Sequence, residues 1–132
     1  MEIPDQRTVR PAEKIQGSVK VPGDKSISHR CAMLGGLADG TTRISGFLES
    51  EDCLNTLGAI SAMGAIVKRT GKGLIEIEGK SGTFNKPENV LDMGNSGTGI
   101  RLLAGLLAGH DFISVMTGDA SLRSRPMKRI KE

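Results

Sequence analysis

The chain has 132 residues, which is enough for one ordinary domain with a hydrophobic core. Hydrophobic residues make up 37% and 18 residues are glycine, a composition that disfavours gross disorder. Aromatic residues make up only 2%, which nearly excludes the stacking surfaces that bind single-stranded nucleic acid. Of the net charge of +3, residues 123–132 contribute +4 and the rest of the chain −1, so the body of the chain lacks the basic surface of a nucleic-acid-binding protein.

A first unit is predicted at residues 14–79, after a polar, extended lead-in at residues 1–13. Alternating apolar residues predict strands, and apolar residues three or four positions apart predict helices. Ser50 is a suitable residue to start the second helix, and Gly64 is suitable to end it. The predicted order is β-α-β-α-β-β, with strands at 14–21, 42–48, 65–70 and 74–78 and helices that follow Ser26 and Ser50.

The spacing also predicts which side of each element is buried. The first helix should bury Ile27, Cys31 and Leu34, and in the last strand Ile75 and Ile77 should face inward. The second helix should bury an apolar face formed by Cys53, Leu57 and Ile60.

An incomplete second unit is predicted at residues 80–132. A loop at 80–89 precedes a helix at 97–108 and a strand at 111–117, and Pro126 favours the start of another helix. A shift of 70 residues places Ser26 on Ser96 and Leu37 on Leu107, although chance matches of common residues are the alternative. A true repeat implies that both units belong to the N-terminal domain of a longer protein.

The two cysteines, Cys31 and Cys53, lie inside the predicted helices and are expected to be buried free thiols. A disulfide or a metal pair is the alternative, which the absence of a Cys-x-x-Cys pair disfavours. No apolar run is typical of a signal peptide, and none approaches the roughly 18 residues that span a membrane. We therefore expect a cytoplasmic location, with no membrane and no metal.

A first candidate anion-binding segment is VPGDKSISHR at residues 21–30. A strand ends in Pro-Gly and a helix begins, so free backbone N–H groups and the helix dipole would face an anion. Lys25 adds a charge, Ser26 a hydroxyl group and Arg30 a bidentate guanidinium on the same helical face. An ordinary serine-capped helix with solvated basic residues is the alternative. His29 is expected to be a surface histidine rather than a third ligand.

Two further segments carry similar chemistry. In GNSGTGIR at residues 94–101, three glycines permit close backbone approach, Asn95 and Thr98 offer donors, and Arg101 follows one turn later. In GDASLRSRPMKR at residues 118–129, Arg123 and Arg125 precede Pro126, and such an arginine would suit a carboxylate or phosphate. A tightly packed glycine turn and a solvated basic turn are the respective alternatives. No carboxylate has a context typical of a general acid or base.

Together the three segments resemble those of the 5-enolpyruvylshikimate-3-phosphate synthase family. VPGDKSISHR is similar to the family's PGxKS…R segment, LDMGNSGTGIR to its GNxGTxxR loop, and SLRSRPM to its RxRP segment. The resemblance runs from about Lys14 onward and covers only the N-terminal third or so of the family protein. It implies an α/β (α+β) fold of βαβαββ units, two domains and no cofactor.

The resemblance also implies a reaction, the transfer of the enolpyruvyl group of phosphoenolpyruvate to the 5-hydroxyl of shikimate 3-phosphate. The family's general acid and base lie mainly in later parts of the chain, so no catalytic residue is expected here and this chain alone should bind substrate without turnover. Glyphosate is expected to occupy the phosphoenolpyruvate position. The implied shikimate 3-phosphate contacts are Lys25, Ser26, Arg30 and Thr98, and the implied phosphoenolpyruvate contacts are Lys25, Asn95, Gly97, Arg101 and Arg125.

Two alternatives remain open from the sequence. One is the related enolpyruvyl transferase that acts on UDP-N-acetylglucosamine, which the KS…HR and GNSGT segments disfavour. The other is a non-catalytic module that binds anions or RNA through related units. The scarcity of aromatic residues and the near-neutral body of the chain disfavour RNA. The expected partners are therefore two small anionic substrates and the remainder of the same polypeptide, without nucleic acid.

Overall fold

A computed structural model describes residues 7–131 of the chain; the part of the predicted lead-in at residues 1–6 lies outside the described residues. Residues 7–24 contain no helix or strand, and regular structure begins at Lys25. In chain order the elements are α1 (Lys25–Leu37), β1 (Thr41–Ser45), α2 (Glu51–Ala62), β2 (Ile66–Gly71), β3 (Leu74–Glu78), β4 (Leu91–Asp92), α3 (Gly97–Leu107), β5 (Met116–Thr117), α4 (Ala120–Ser124) and α5 (Lys128–Lys131).

The predicted strand at residues 14–21 is wrong for this structure. The segment has no strand assignment, and Ile15 and Val19 are 94% and 88% exposed. A strand needs a neighbour for its backbone N–H and C=O groups, and this segment pairs with none of the described strands. The alternation of apolar residues is typical of a β-strand, but within residues 7–131 this segment has no strand to pair with.

The first sheet contains three antiparallel strands in the order β1-β3-β2. The predicted hairpin is confirmed: β2 and β3 pair around a turn in which Gly73 adopts a φ of +67°, a value that favours glycine. Ile75 and Ile77 on β3 are buried as predicted. The predicted face of α2, formed by Cys53, Leu57 and Ile60, is buried as well.

Helix α1 is present as predicted, but the predicted buried face is wrong. Ile27 and Leu34 are 58% and 65% exposed. The packed side instead uses small residues: a Cβ atom on Gly36 would lie 2.9 Å from Phe84 Cζ, and one on Gly35 would lie 3.3 Å from Ile77 Cδ1. The helix therefore packs closely against its neighbours through its glycines. Ile27 and Leu34 lie on the opposite, exposed side, and their spacing therefore predicted the wrong face.

The second unit contains the predicted helix and a parallel two-stranded sheet. Strands β4 and β5 pair through Leu91 with Met116 and Asp92 with Thr117, and α3 connects them. The predicted strand at 111–117 is confirmed only in its last two residues. This β-α-β arrangement brings the start of α3 beside the loop that precedes α4. Among residues 7–131, no helix has the length and apolar character that crossing a membrane requires.

Candidate anion-binding site

The N-terminal turns of α1, α2 and α3 lie at the same end of the molecule. Helices α1 and α2 run parallel, because Lys25 pairs with Asp52 and, one turn later, His29 Nδ1 lies 2.8 Å from Thr56 Oγ1. A Cβ atom on Gly99, in the first turn of α3, would lie 3.1 Å from the same Thr56 Oγ1. Helix N-termini carry partial positive charge and unpaired N–H groups, so their convergence favours an anion.

The start of α1 is fixed by side-chain hydrogen bonds. Asp24 is the N-cap, and its Oδ1 accepts a 2.7 Å hydrogen bond from the Ile27 N–H. Ser28 Oγ donates to the Asp24 carbonyl at 2.7 Å and accepts from the Leu48 N–H at 2.9 Å, which ties the helix start to the loop after β1. The helix is therefore not capped by Ser26, and the Ser26 hydroxyl group remains exposed.

Lys25 and Asp52 form an ion pair between the first turns of α1 and α2. The Lys25 side chain is 48% exposed and that of Asp52 is 19% exposed, so the lysine reaches solvent while its partner is more enclosed. Asp52 was not predicted as a site residue; its position in the first turn of a helix whose neighbour begins at Lys25 was the available signal. Ser26 and Arg30 are exposed beside Lys25.

A second group of predicted residues is brought together between α3 and α4. Arg125 Nη2 donates a 2.5 Å hydrogen bond to Asn95 Oδ1, and Asn95 Nδ2 donates to Asp119 Oδ2 at 2.7 Å. Arg101 Nη1 donates to the Gly97 carbonyl at 3.0 Å. A Cβ atom on Gly97 would lie 2.7 Å from Arg125 Nη1 and 2.9 Å from Arg101 Nη1, so two guanidinium groups lie against this glycine.

Asp119 is a residue of this group that the sequence motifs missed. It is the N-cap of α4, where its Oδ1 accepts from the Leu122 N–H at 2.7 Å. The hydrogen bond from Asn95, followed by that from Leu122, lowers the pKa of Asp119 below its ordinary value. The carboxylate therefore stays ionised and orients the Asn95 amide toward Arg125. An aspartate before the Ala-Ser start of a helix is a typical N-cap pattern and was the available signal.

The two groups of predicted residues share the N-terminal end of α2 but do not touch directly. Within residues 7–131, the side chain of Lys25 bonds to Asp52, whereas that of Arg125 bonds to Asn95, and no hydrogen bond joins the two groups. Asn55 of α2 donates to the Met93 carbonyl at 3.3 Å and so ties α2 to the loop before α3. Thr98, in the first turn of α3, is exposed.

His29 is buried, which makes the prediction of a surface histidine wrong. Its side chain is fully enclosed between α1 and α2. Burial lowers the pKa of His29, the positive charge of Lys25 lowers it further, and Asp52 opposes this effect. The imidazole is therefore neutral at pH 7 and does not serve as a cationic ligand.

The cysteines and acidic residues do not form a metal centre in the described part of the chain. No group of three or more His, Cys, Asp and Glu side chains there is arranged to hold an ion. Cys31 and Cys53 are both free; Cys53 is buried, and burial raises the pKa of its thiol, so it remains protonated. The site therefore offers cationic side chains, helix N-termini and hydrogen-bond donors for binding anions.

Comparison with known proteins supports the family resemblance that the three sequence segments indicated. A family model described as EPSP synthase (3-phosphoshikimate 1-carboxyvinyltransferase) matches residues 9–132. A 3-phosphoshikimate 1-carboxyvinyltransferase from Acidiphilium cryptum is 58% identical over 95% of this chain and 28% of its own length, and one from Geotalea uraniireducens is 55% identical over 95% and 29%. A solved structure of EPSP synthase from Acinetobacter baumannii superposes with a TM-score of 0.81 at 51% identity, covering 87% of this chain and 26% of that one.

Proposed function

The chain belongs to the EPSP synthase family, and on that premise we propose that its helix N-termini bind shikimate 3-phosphate and phosphoenolpyruvate. The reaction transfers the enolpyruvyl group to the 5-hydroxyl of shikimate 3-phosphate and releases phosphate. The matched relatives are named 3-phosphoshikimate 1-carboxyvinyltransferases, which favours this activity over transfer to UDP-N-acetylglucosamine. The chain spans 28% of the first of these relatives, so the activity is proposed for a longer polypeptide.

The observation that carries the proposal is the convergence of the three helix starts with a lysine and two arginines. Both substrates are multiply anionic, and each would be held by backbone N–H groups, the helix dipoles and charge-assisted hydrogen bonds. The exposed side chains of Ser26, Arg30 and Thr98 are available to a ligand at this end. We assign Lys25, Ser26, Arg30 and Thr98 to shikimate 3-phosphate and Lys25, Asn95, Gly97, Arg101 and Arg125 to phosphoenolpyruvate.

In this proposal the described residues align the substrates. Lys25, which pairs with Asp52, contacts both anions. Arg125 offers a planar pair of donors to the carboxylate or phosphate of phosphoenolpyruvate, and Asn95 and Asp119 fix its orientation. Holding the 5-hydroxyl near C2 of phosphoenolpyruvate replaces a bimolecular encounter with an aligned pair, which is the main catalytic contribution of these residues.

Proton transfer completes the reaction. The hydroxyl oxygen bonds to C2 and loses its proton, and C3 gains a proton. Loss of phosphate from C2 and of a proton from C3 then restores the double bond and forms the enol ether. The carboxylates described at the site, Asp52 and Asp119, are held by Lys25 and Asn95. We therefore propose that the general acid and base come from the rest of a longer polypeptide. We further propose that residues 14–79 and 80–132 are two units of its N-terminal domain, and that the protein is cytoplasmic.

The test is a titration of this chain with shikimate 3-phosphate, with an RNA oligonucleotide measured beside it at several salt concentrations. We expect weak, saturable binding of shikimate 3-phosphate and no phosphate release on addition of phosphoenolpyruvate. Salt-dependent RNA binding without shikimate 3-phosphate binding would support an RNA-binding module instead. Turnover by this chain would contradict the assignment of the acid and base to the rest of the polypeptide.

A further inference from the structure

A buried polar contact lies directly beneath the Lys25–Asp52 ion pair and has no part in the function proposed above. His29 on α1 and Thr56 on α2 are both fully buried, and His29 Nδ1 lies 2.8 Å from Thr56 Oγ1. Buried polar side chains are costly unless hydrogen-bonded, so a pair placed one turn from a substrate-binding lysine requires an explanation.

The directions of the hydrogen bonds follow from the partners. Thr56 Oγ lies 3.3 Å from the backbone carbonyl of Asp52, and we assign its proton to that bond, so that the Thr56 oxygen accepts from His29 Nδ1–H. The neutral imidazole then carries its proton on Nδ1. His29 Nε2 is buried and has no hydrogen-bond partner among the described residues, so a second proton there would place an unsolvated charge in the interface.

These bonds connect His29 to the acidic partner of Lys25. The imidazole donates to Thr56, and Thr56 donates to the backbone carbonyl of Asp52. The carboxylate of Asp52 in turn pairs with Lys25. A second contact ties the same turns together, since Cys53 Sγ lies 3.7 Å from the Lys25 carbonyl oxygen. Both contacts therefore join the first two turns of α1 to those of α2.

We propose that His29 is a positioning residue for Lys25, acting through Thr56 and the first turn of α2 to hold the lysine against Asp52. The assignment of Lys25 to substrate rests on the proposed function above; the coupling between His29 and the ion pair does not. Loss of the hydrogen bond lets the first turns of α1 and α2 shift relative to each other, and the lysine loses its fixed partner.

The test compares three variants of this chain by NMR and by titration with shikimate 3-phosphate. His29→Leu removes the ring nitrogens, Thr56→Val removes only the hydroxyl group at nearly constant volume, and His29→Asn keeps an N–H donor near the position of Nδ1. We expect His29→Leu and Thr56→Val each to weaken binding about 10-fold, which corresponds to about 1.4 kcal/mol. His29→Asn should bind shikimate 3-phosphate within about 3-fold of the parent affinity, because it retains the N–H donor to Thr56.

A readout at Lys25 separates positioning from general loss of structure. The Nζ resonance of Lys25 should shift in Thr56→Val but keep its parental position in His29→Asn. The amide spectra of both variants should remain dispersed, as expected of folded chains. The double variant His29→Leu/Thr56→Val should lose no more affinity than either single variant, because both remove one contact. Ser26→Ala is the control: it should lower affinity while leaving the Lys25 and His29 resonances unchanged.

Each outcome decides the proposal. An unchanged Lys25 Nζ resonance in folded Thr56→Val, or parental affinity in both His29→Leu and Thr56→Val, would overturn it. If the parent chain does not bind shikimate 3-phosphate, the proposed function fails, and the Lys25 resonance alone then decides the coupling. If His29→Leu does not fold, the nearly isosteric Thr56→Val variant supplies the same test.

Discussion

A methyl group at residue 97 tests the contact between the glycine-rich loop and the two arginines. In Gly97→Ala, the new Cβ would lie 2.7 Å from Arg125 Nη1 and 2.9 Å from Arg101 Nη1, both closer than real carbon contacts. The obstructing atoms are the ends of flexible side chains, so the guanidinium groups move and the backbone stays. Arg125 then leaves the position in which Nη2 donates to Asn95 Oδ1 at 2.5 Å.

The magnitude follows from the interaction that is displaced. A hydrogen bond to a charged group contributes about 1.5–3 kcal/mol, so loss of one contact from Arg125 to phosphoenolpyruvate should weaken binding by between about 10- and 150-fold. On the expectation that glyphosate occupies the same place, this bulkier ligand should lose more affinity than phosphoenolpyruvate. The fold should be retained, because Gly97 occupies the first position of α3 and no positive φ is required there.

Gly105→Ala is the matched control, since it makes the same change in the same helix. A Cβ atom on Gly105 meets nothing within 4 Å, so this variant should gain about 0.5–1 kcal/mol of stability and bind phosphoenolpyruvate like the parent. Affinities are measured by titration followed by amide shifts at residues 95–101. Parental affinity of Gly97→Ala for phosphoenolpyruvate, or an equal loss for both ligands, would refute the steric reasoning.

Four other changes test the electrostatics of the site. Lys25→Gln should weaken binding of both substrates, whereas Arg125→Lys, which keeps the charge but loses the planar pair of donors, should weaken phosphoenolpyruvate alone; paired titrations measure both. The pKa of Asp119 is lowered in the folded chain, so its contribution to stability is present above the unfolded pKa of about 3.9 and is lost as the pH falls through the folded value. Asp119→Asn should therefore flatten the acid side of a plot of denaturation midpoint against pH. The pKa of His29 is also lowered in the folded chain, so the unfolded state takes up the proton first as the pH falls. The free energy of unfolding should therefore decrease below about pH 6.5, by at most about 1.4 kcal/mol per pH unit. The same pH dependence in His29→Asn would contradict this assignment.

The sequence pattern was most informative where large apolar side chains form the packed surface. The burial of Leu57 and Ile60 on α2 and of Ile75 and Ile77 on β3 was predicted and is confirmed. On α1 the pattern indicated the wrong side, because Gly36 and its small neighbours are packed and Leu34 is exposed. Hydrophobic spacing cannot identify a packing surface that depends on the absence of side chains.

The site was predicted in its parts but not in its connections. Asn95 and Arg125 were each proposed from separate motifs, and the structure joins them by a hydrogen bond across 30 residues. Asp52 and Asp119 were missed because a carboxylate acquires its role from the charge that the fold places beside it. His29 was misjudged because its residue type is commonly exposed, while its burial depends on Thr56 from another helix.

The most direct test of the central claim is a titration of this chain with shikimate 3-phosphate, followed residue by residue through backbone amide resonances. We predict a saturable change with a Kd on the order of 1 mM, or about −4.1 kcal/mol, a weak affinity for a site with part of its contacts. The largest shifts should occur at Lys25, Ser26 and Thr98, and Lys25→Gln should weaken the binding that causes them. Absence of saturable change up to about 10 mM, or shifts confined to residues away from the three helix N-termini, would contradict the account.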